Sequence, residues 1–403
     1  MKTHRVLPGL LLFCLVSSGF AQTPGAPVEV VASLNSFGLR LHRKLAAQNP
    51  DRNLVHSPYS LGSSMVALSC GAEGETLAEM KRALALPSEE DLLSGFEGFH
   101  KSLGESLQTS GGVSLRIASR LYVQKGCDVE SRFRLSLKKV FRTDLENANF
   151  KDSAPGERRT INSWVEQQTG GAFREFLPPN LPTAETGILS VNAVVFRAPW
   201  YHFETKDTHT GFFNLPGGRT ASLPFMVMKF GNIRAEKKEG HSAVSLDFPG
   251  SQFSFLVLVP GADVPLAKLE ASLTPESLAA YPRMTEREAK LYLPRFNLLH
   301  SSPSLKETMN TLGLGGLFAP NQPNFSRLSG KMPFRLADMV HQARIKVDEG
   351  GVYAAAATAS GIEPFGSPPE PPLIIKADRP FLFAIQHSKS GACLFLGRVT
   401  DPR

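Results

Sequence analysis

The stretch Val347-Asp348-Glu349-Gly350-Gly351-Val352-Tyr353-Ala354-Ala355-Ala356-Ala357-Thr358, with its flanks back to His341 and on to Pro372, decides how the rest of the chain is read. Before it, His341, Ala343, Ile345 and Val347 alternate with Gln342, Arg344, Lys346 and Asp348, an amphipathic strand by its period of two. Glu349-Gly350-Gly351 then predicts a sharp reversal or hinge, because glycine reaches backbone angles closed to other residues. Beyond it, Val352, Ala354, Ala356, Thr358, Ser360 and Ile362 would share one uncharged face of a second strand, and strand, Gly-Gly, strand is a hairpin signal. Yet four consecutive alanines have poor strand propensity, and Pro364, Pro368, Pro369, Pro371 and Pro372 favour an exposed, extended loop. Small side chains suit a chain that must slide into a tight slot. The segment reads as a loop with two fates, exposed first and a central strand later.

Toward the C-terminus, the apolar runs Phe381 to Ile385 and Cys393 to Val399 predict strands covered on both faces, as do Gly187 to Phe196 and Phe253 to Val259. Pro303 to Leu312 predicts a helix with Leu305, Met309 and Leu312 inward and Gly313 as its end. The first half mixes types. Val30, Leu34, Phe37, Leu41 and Leu45 recur at helical spacing, Ser57-Pro58 offers an N-cap and first-turn proline for a second helix, and Thr76 to Leu84 predicts a third. Residues 113 to 123 predict a half-buried strand, and Ile161, Trp164 and Val165 a helix ending at Gly170-Gly171. There is no repeat and no long linker, so the expectation is one mixed α and β domain with several sheets.

Composition agrees. The 403 residues are 42% hydrophobic and 20% charged and include 27 Phe, which excludes a disordered chain and implies a large packed core. Lys2 and Arg5 precede an apolar run from Val6 to Val16 with a cleavage site expected after Ala21, so residues 1–21 read as a signal peptide and the mature chain, 22–403, as secreted. That removes Cys14, leaving Cys70, Cys127 and Cys393, an odd number that predicts at least one free or intermolecular thiol. No later stretch is apolar for 18 residues, and no membrane association is expected. Asn324-Phe325-Ser326 is the one glycosylation sequon, usable only if Asn324 is exposed.

Enzyme motifs are missing: there is no GxSxG, HExxH or GxxxxGK[ST], and Gly313-Leu314-Gly315-Gly316 lacks the third glycine and following acid of a dinucleotide fingerprint. No Cys/His cluster suggests a metal, no cofactor is implied, and the mild, scattered net charge of +7 argues against nucleic acid. Arg134, Lys138 and Arg142 fall at i, i+4 and i+8 opposite Phe133, Leu137 and Phe141. Such a basic stripe could hold a sulfated glycosaminoglycan or be an ordinary solvated helix face, and the latter reading is favoured.

Seven motifs in order carry a resemblance. The hinge stretch quoted above joins His56-Ser57-Pro58-Tyr59-Ser60, Ile161-Asn162-Ser163-Trp164-Val165, Val191-Asn192-Ala193-Val194-Val195-Phe196 with Trp200, Leu293-Pro294-Arg295-Phe296, Asn324-Phe325-Ser326, and Arg379-Pro380-Phe381-Leu382-Phe383 with Phe395-Leu396-Gly397-Arg398-Val399. Together they resemble the serpins over the whole mature chain, loosely the plasminogen activator inhibitor and nexin branch. The resemblance implies an α+β, multi-sheet single domain with about eight or nine helices, and a reactive-centre loop over about 349–375. It implies a non-enzyme, a suicide-substrate inhibitor of a serine protease, expected as a monomer.

Counting from the hinge as the family does places the reactive bond between Phe365 and Gly366, flanked by Pro364 and Glu363. An aromatic at that point matches the apolar primary pocket of chymotrypsin-like enzymes, including cathepsin G and chymase. No Arg or Lys lies between Lys346 and Lys376, which disfavours a trypsin-like target. Glu349, Gly350, Gly351, Val352, Ala354, Ala356 and Thr358 would form the hinge. Val352 departs from the family's usual Thr and Tyr353 from its common acid; the alternative is a non-inhibitory serpin acting as carrier, chaperone or matrix-binding protein. Ser57, Ser60, Asn192 and His341 match the positions that control opening of the central sheet, and read as a buried hydrogen-bond network rather than a catalytic site. Trp164, Trp200 and Phe203 read as core. The helix that carries heparin in heparin-activated relatives would fall at about 90–108, where Glu90, Asp91, Glu97 and Glu105 face only His100 and Lys101.

Overall fold

The computed structural model describes residues 26–319, 323–330, 334–351 and 371–403. Along the chain run α1 (Ala26–Gln48), β1 (Leu54–His56), α2 (Pro58–Ser69), α3 (Gly74–Leu84), α4 (Glu89–Thr109), β2 (Ser114–Gln124), α5 (Ser131–Lys139), β3 (Asp144–Ala148), α6 (Phe150–Gln168) and β4 (Ile188–Arg197). Then come β5 (His209–Asn214), β6 (Thr220–Val227), β7 (Gly231–Lys238), β8 (His241–Asp247), β9 (Phe253–Pro260), α7 (Leu266–Ser272), α8 (Pro275–Ala280), β10 (Glu286–Pro294) and β11 (Phe296–Ser302). The chain closes with α9 (Lys306–Met309), β12 (Leu336–Val347), β13 (Leu373–Lys376), β14 (Phe381–His387) and β15 (Ala392–Val399).

The strands form two sheets. The five-stranded one has the order β11-β12-β4-β2-β3, and the ten-stranded one runs β1-β15-β14-β9-β8-β7-β10-β6-β5 with β13 added beside β10. Apolar runs became buried strands as their composition demands: every residue of β9, β14 and β15 is buried. Between the sheets lies the main core, which includes Phe37, Phe96, Phe196, Phe255 and Phe383. On the far face of the five-stranded sheet, Ile161 and Val165 of α6 pack on Leu189, Val191, Ala193, Val195 and Val340. The alternating side chains of β4 and β12 thus meet α6 on one face and α2 on the other.

Helix α2 positions the site. Its N-cap is Ser57, whose hydroxyl accepts from the Ser60 N–H, and Pro58 takes the first turn where no donor is needed. The whole helix is buried, a pattern that suits an element enclosed by sheet and helices rather than one lying on the surface.

Three local expectations are corrected, and a fourth lies outside the described residues. The helix expected over Pro303–Leu312 is shorter: α9 spans Lys306–Met309, and the chain continues as a π-type turn over Asn310–Leu314 in which Gly313 has φ +84°. The basic stripe is not one helix face: α5 stops at Lys139, and Arg142 lies beyond it at φ +49°. Arg134 turns back to Leu145 O (3.2 Å) and Asn147 Oδ1 (3.3 Å), so its donors serve the fold. Trp164 is only half-buried, with the Arg120 guanidinium 4.1 Å from its ring centroid, whereas Trp200 and Phe203 are core. The predicted second strand of the hairpin, from Val352 on, lies outside the described residues; within them the reversal shows as an antiparallel bridge between Asp348 and Gly351.

Candidate functional site

Strands β12 and β4 are parallel neighbours, paired from Leu336 with Ile188 to Arg344 with Val195. Their pairing places His341 directly beside Asn192. The ring Nε2 of His341 accepts from the Ser57 N–H at 3.2 Å, so Nδ1 carries the proton and donates to Asn192 Oδ1 at 2.9 Å. The Asn192 amide donates in turn to Ser60 O (3.1 Å) and Ser64 Oγ (3.0 Å), and the Ser57 hydroxyl donates to Leu394 O (2.6 Å). The N-terminus of α2 is therefore bonded to both sides of the seam, to β12 through Ser57 and to β4 through Ser60.

Three of the four residues expected here contribute side chains, Ser57, Asn192 and His341. Ser60 contributes its backbone, and its hydroxyl has no hydrogen-bond partner among the described residues. Sequence reading missed Ser64 and Ser119, whose hydroxyls lie 3.1 Å apart and tie α2 to β2. Spacing held a clue, since Ser60 and Ser64 share one helix face. Burial, and then the like charge of His300, push the His341 imidazole down to about 3, so it is neutral at physiological pH.

The pairing stops at Arg344 although β12 runs to Val347 and β4 to Arg197, and the two ends flank a cavity of ≈ 220 Å³ also bordered by Gly170 and Gly171. The hinge follows directly on β12 and is held from several sides. Trp200 Nε1–H donates to Asp348 O at 2.9 Å, a role beyond the core one expected of it. Glu349 Oε1 accepts from Arg295 Nε at 2.8 Å and also bonds Arg295 Nη2 and the Thr208 hydroxyl. Burial pushes the Glu349 carboxyl up, but the hydrogen bonds from Arg295 and Thr208 outweigh it and hold the group below its ordinary value. Gly351 has φ +91°, and a Cβ there would stand 2.5 Å from Trp200 N and 2.6 Å from Ala198 O, so glycine is required. Gly350 N–H closes the turn onto Asp348 Oδ1 at 3.1 Å.

The hinge positions Val352, Ala354, Ala356 and Thr358, and the reactive-bond residues Glu363, Pro364, Phe365 and Gly366, lie outside the described residues. Asn324 is exposed while Phe325 is 2% exposed, so the sequon presents its asparagine with the aromatic inward. Of the basic residues, Lys138 and Arg142 are exposed and Arg134 is half-buried. In α4, His100 is buried and held down to about 4, first by burial, so it adds no positive charge to the acidic face. The three described cysteines are all free. Among the described residues no helix is long and apolar enough to cross a membrane.

Comparison with known proteins agrees with this architecture. The family model described as "Serpin (serine protease inhibitor)" matches residues 32–402. The chain belongs to the serpin family, and its fold is the serpin fold. It is 31% identical to Serpin B8 of Bos taurus over 373 residues, covering 91% of this chain and 98% of that one. It is also 31% identical to the leukocyte elastase inhibitor of Bos taurus over 388 residues, covering 93% and 100%. A crystal structure of maspin superposes with TM-score 0.84 at 24% identity, covering 94% of this chain and all of that one. Protease inhibition is the activity that this family membership supports.

Proposed function

We propose that the protein is a secreted suicide-substrate inhibitor of a chymotrypsin-like serine protease, attacked at Phe365-Gly366. The observation that carries this reading is the closed β4–β12 seam, whose pairing stops at Arg344 while β12 runs on to Val347 and into the hinge. The protease serine would attack the Phe365 carbonyl, forming an ester to Phe365 and releasing the Gly366 amine as a new N-terminus. Insertion of the freed segment, with Val352, Ala354, Ala356 and Thr358 facing inward, would part β4 and β12 by one strand spacing, about 4.8 Å. Each new backbone hydrogen bond contributes about 1 kcal/mol net, so a strand of this length drives the change strongly. The protease, still joined through the ester, would be carried off before water reaches it. Residues 1–21 would direct secretion, leaving a mature domain from residue 22, and Asn324 is available for a glycan.

The test is to mix the purified protein with chymotrypsin, cathepsin G and trypsin. Denaturing gels would then be run together with mass analysis of the released peptide. We expect a complex that survives denaturant with chymotrypsin or cathepsin G, and a C-terminal peptide beginning at Gly366. Cleavage without a complex, and without a rise in thermal stability of the cleaved chain, would overturn the inhibitory reading. N-terminal sequencing of the exported product should begin at Gln22.

A further inference from the structure

Strand β13 begins just after the proline-rich segment and lies parallel to β10, pairing Lys290 with Ile374 and Tyr292 with Lys376. The face that these pairs turn outward carries an unusual set of side chains. Phe230, from the turn between β6 and β7, is 48% exposed, and Ile374 is 55% exposed. The Lys290 ammonium stands 5.2 Å from the Phe230 ring centroid and 5.3 Å from that of Tyr292, and the Lys376 ammonium stands 5.5 Å from Tyr292. Two like charges therefore converge on one ring, an arrangement that repels unless an anion joins them. Among the described residues neither lysine has a carboxylate partner. Glu204 and Asp207 are taken by Lys229, and Glu288, two residues before Lys290 on β10, is exposed and pairs with neither lysine.

This face continues the path of the loop. Arg287 Nη2–H donates to Pro371 O at 3.3 Å, which fixes the end of the loop to β10. The chain from Gly366 to Pro371 can span at most about 18 Å. A protease of ordinary size is about 40 Å across, so an enzyme attacking the Phe365-Gly366 bond must overhang β13 and β10. We propose that this face is a second docking surface for the attacking protease, and that it favours an enzyme with acidic side chains beside the part of its cleft that receives the residues after the cut bond. A carboxylate of the enzyme enters between Lys290 and Lys376, and apolar groups around it cover Phe230 and Ile374. Both lysines are held over rings before the enzyme arrives, so little side-chain freedom is lost on docking. The proposal rests on the inhibitory reading and on the assigned bond: Phe365 sets which primary pocket can bind, and this face discriminates among the enzymes that have that pocket.

The probes are two forms of chymotrypsin, one succinylated so that its lysines become carboxylates and one acetylated so that they become neutral, each checked for turnover of a small ester. The readout is the second-order rate at which the intact purified protein is lost at low salt, which counts trapping and plain cleavage alike. Lys290→Glu with Lys376→Glu should slow the succinylated form at least about tenfold and the acetylated form by no more than about twofold. Lys101→Glu with Lys268→Glu, the same change in net charge at exposed residues elsewhere, should leave both rates within about twofold. Lys290→Gln with Lys376→Gln, which removes charge without reversing it, should fall between, and unfolding midpoints verify that each variant folds. At about 0.5 M salt the differences should shrink. Equal slowing by the distant pair would assign the effect to net charge, and unchanged rates in the double variant would show that the loop docks alone; either overturns the surface. Sedimentation that finds wild-type dimers lost in the double variant would give the face to a second copy and overturn it too. If neither form of chymotrypsin cuts the loop, the Phe365 assignment fails and this proposal with it. Cutting without trapping sinks the inhibitory reading alone, and the rates still decide the surface.

Discussion

Asn192 concentrates the most consequence in one side chain. It is fully buried, it accepts the His341 Nδ1 proton, and its amide feeds Ser60 O and Ser64 Oγ. Asn192→Ala would remove three buried hydrogen bonds at about 1 kcal/mol each, although each partner keeps a second one, His341 Nδ1 to Asn192 O, Ser60 O from Ser64 Oγ, and Ser64 Oγ with Ser119 Oγ. We expect a loss of about 3 kcal/mol in urea unfolding, far above the effect of an ordinary surface substitution. Asn192→Asp should also destabilise, because a carboxylate accepts but cannot donate to Ser60 O and Ser64 Oγ. A variant with wild-type stability would mean that the seam does not depend on this network. These partners were visible in sequence only through family likeness: Ser57, Asn192 and His341 are far apart in the chain, and no local period links them. Ser64 and Ser119 escaped for the same reason, since a serine in an apolar helix or strand gives no sign of what lies across from it.

At the scale of elements, period and punctuation carried most of the reading. The alternation from His341 to Val347 became β12, the Ser57-Pro58 pair became the cap of α2, and the unbroken apolar runs became strands buried on both faces. The failures also have local causes. Phe133, Leu137 and Phe141 keep apolar residues at helical spacing past the end of α5, but the chain turns at Arg142 and Phe141 is buried from that turn rather than from a helix face. Pro303 to Leu312 has a helix's apolar spacing, yet Gly313 and Gly315 favour a wider turn that shortens α9. The hinge shows what sequence could not give: Trp200, Arg295 and Thr208 converge on Asp348 and Glu349 from three separate segments. The proposed second fate of the loop depends on its alternation, with Ala354 on the face that must enter the sheet. Ala354→Arg would carry a charge into that interior, at a cost of several kcal/mol. We expect it to be cleaved by chymotrypsin at an unchanged rate while forming almost no stable complex. Tyr353→Arg, on the opposite face, should retain the complex. Equal trapping by both variants would mean that the cleaved loop does not enter as this alternating strand.

For the molecule as a whole, the buried histidines set the response to acid. His341 is held down to about 3, and His100 and His387 to about 4, each first by burial; His56, also fully buried, is lowered well below its ordinary value. In the unfolded chain all four return to about 6.5. Between that value and about 4, the unfolded state therefore binds protons that the folded state refuses, so stability falls as pH falls and is independent of these groups above about 7. Each histidine contributes up to about 1.4 kcal/mol per pH unit within the window, or up to about 5 kcal/mol per unit for four together. Glu349, whose carboxyl is held below its ordinary value, contributes stability that is lost only as pH falls below about 4.5, so the two effects separate. Urea midpoints should hold steady from pH 8 to 7, decline below 6.5 and drop steeply between 5.5 and 4.5. His341 has a further consequence, because a proton on Nε2 turns the acceptor of the Ser57 N–H into a donor facing a donor. His341→Gln, which can still accept from Ser57 and donate to Asn192 without titrating, should flatten the decline by about 1 kcal/mol per unit. A midpoint that stays flat from pH 7.5 to 4.5 would mean that these imidazoles take up protons in the folded state and that the seam opens to water without unfolding.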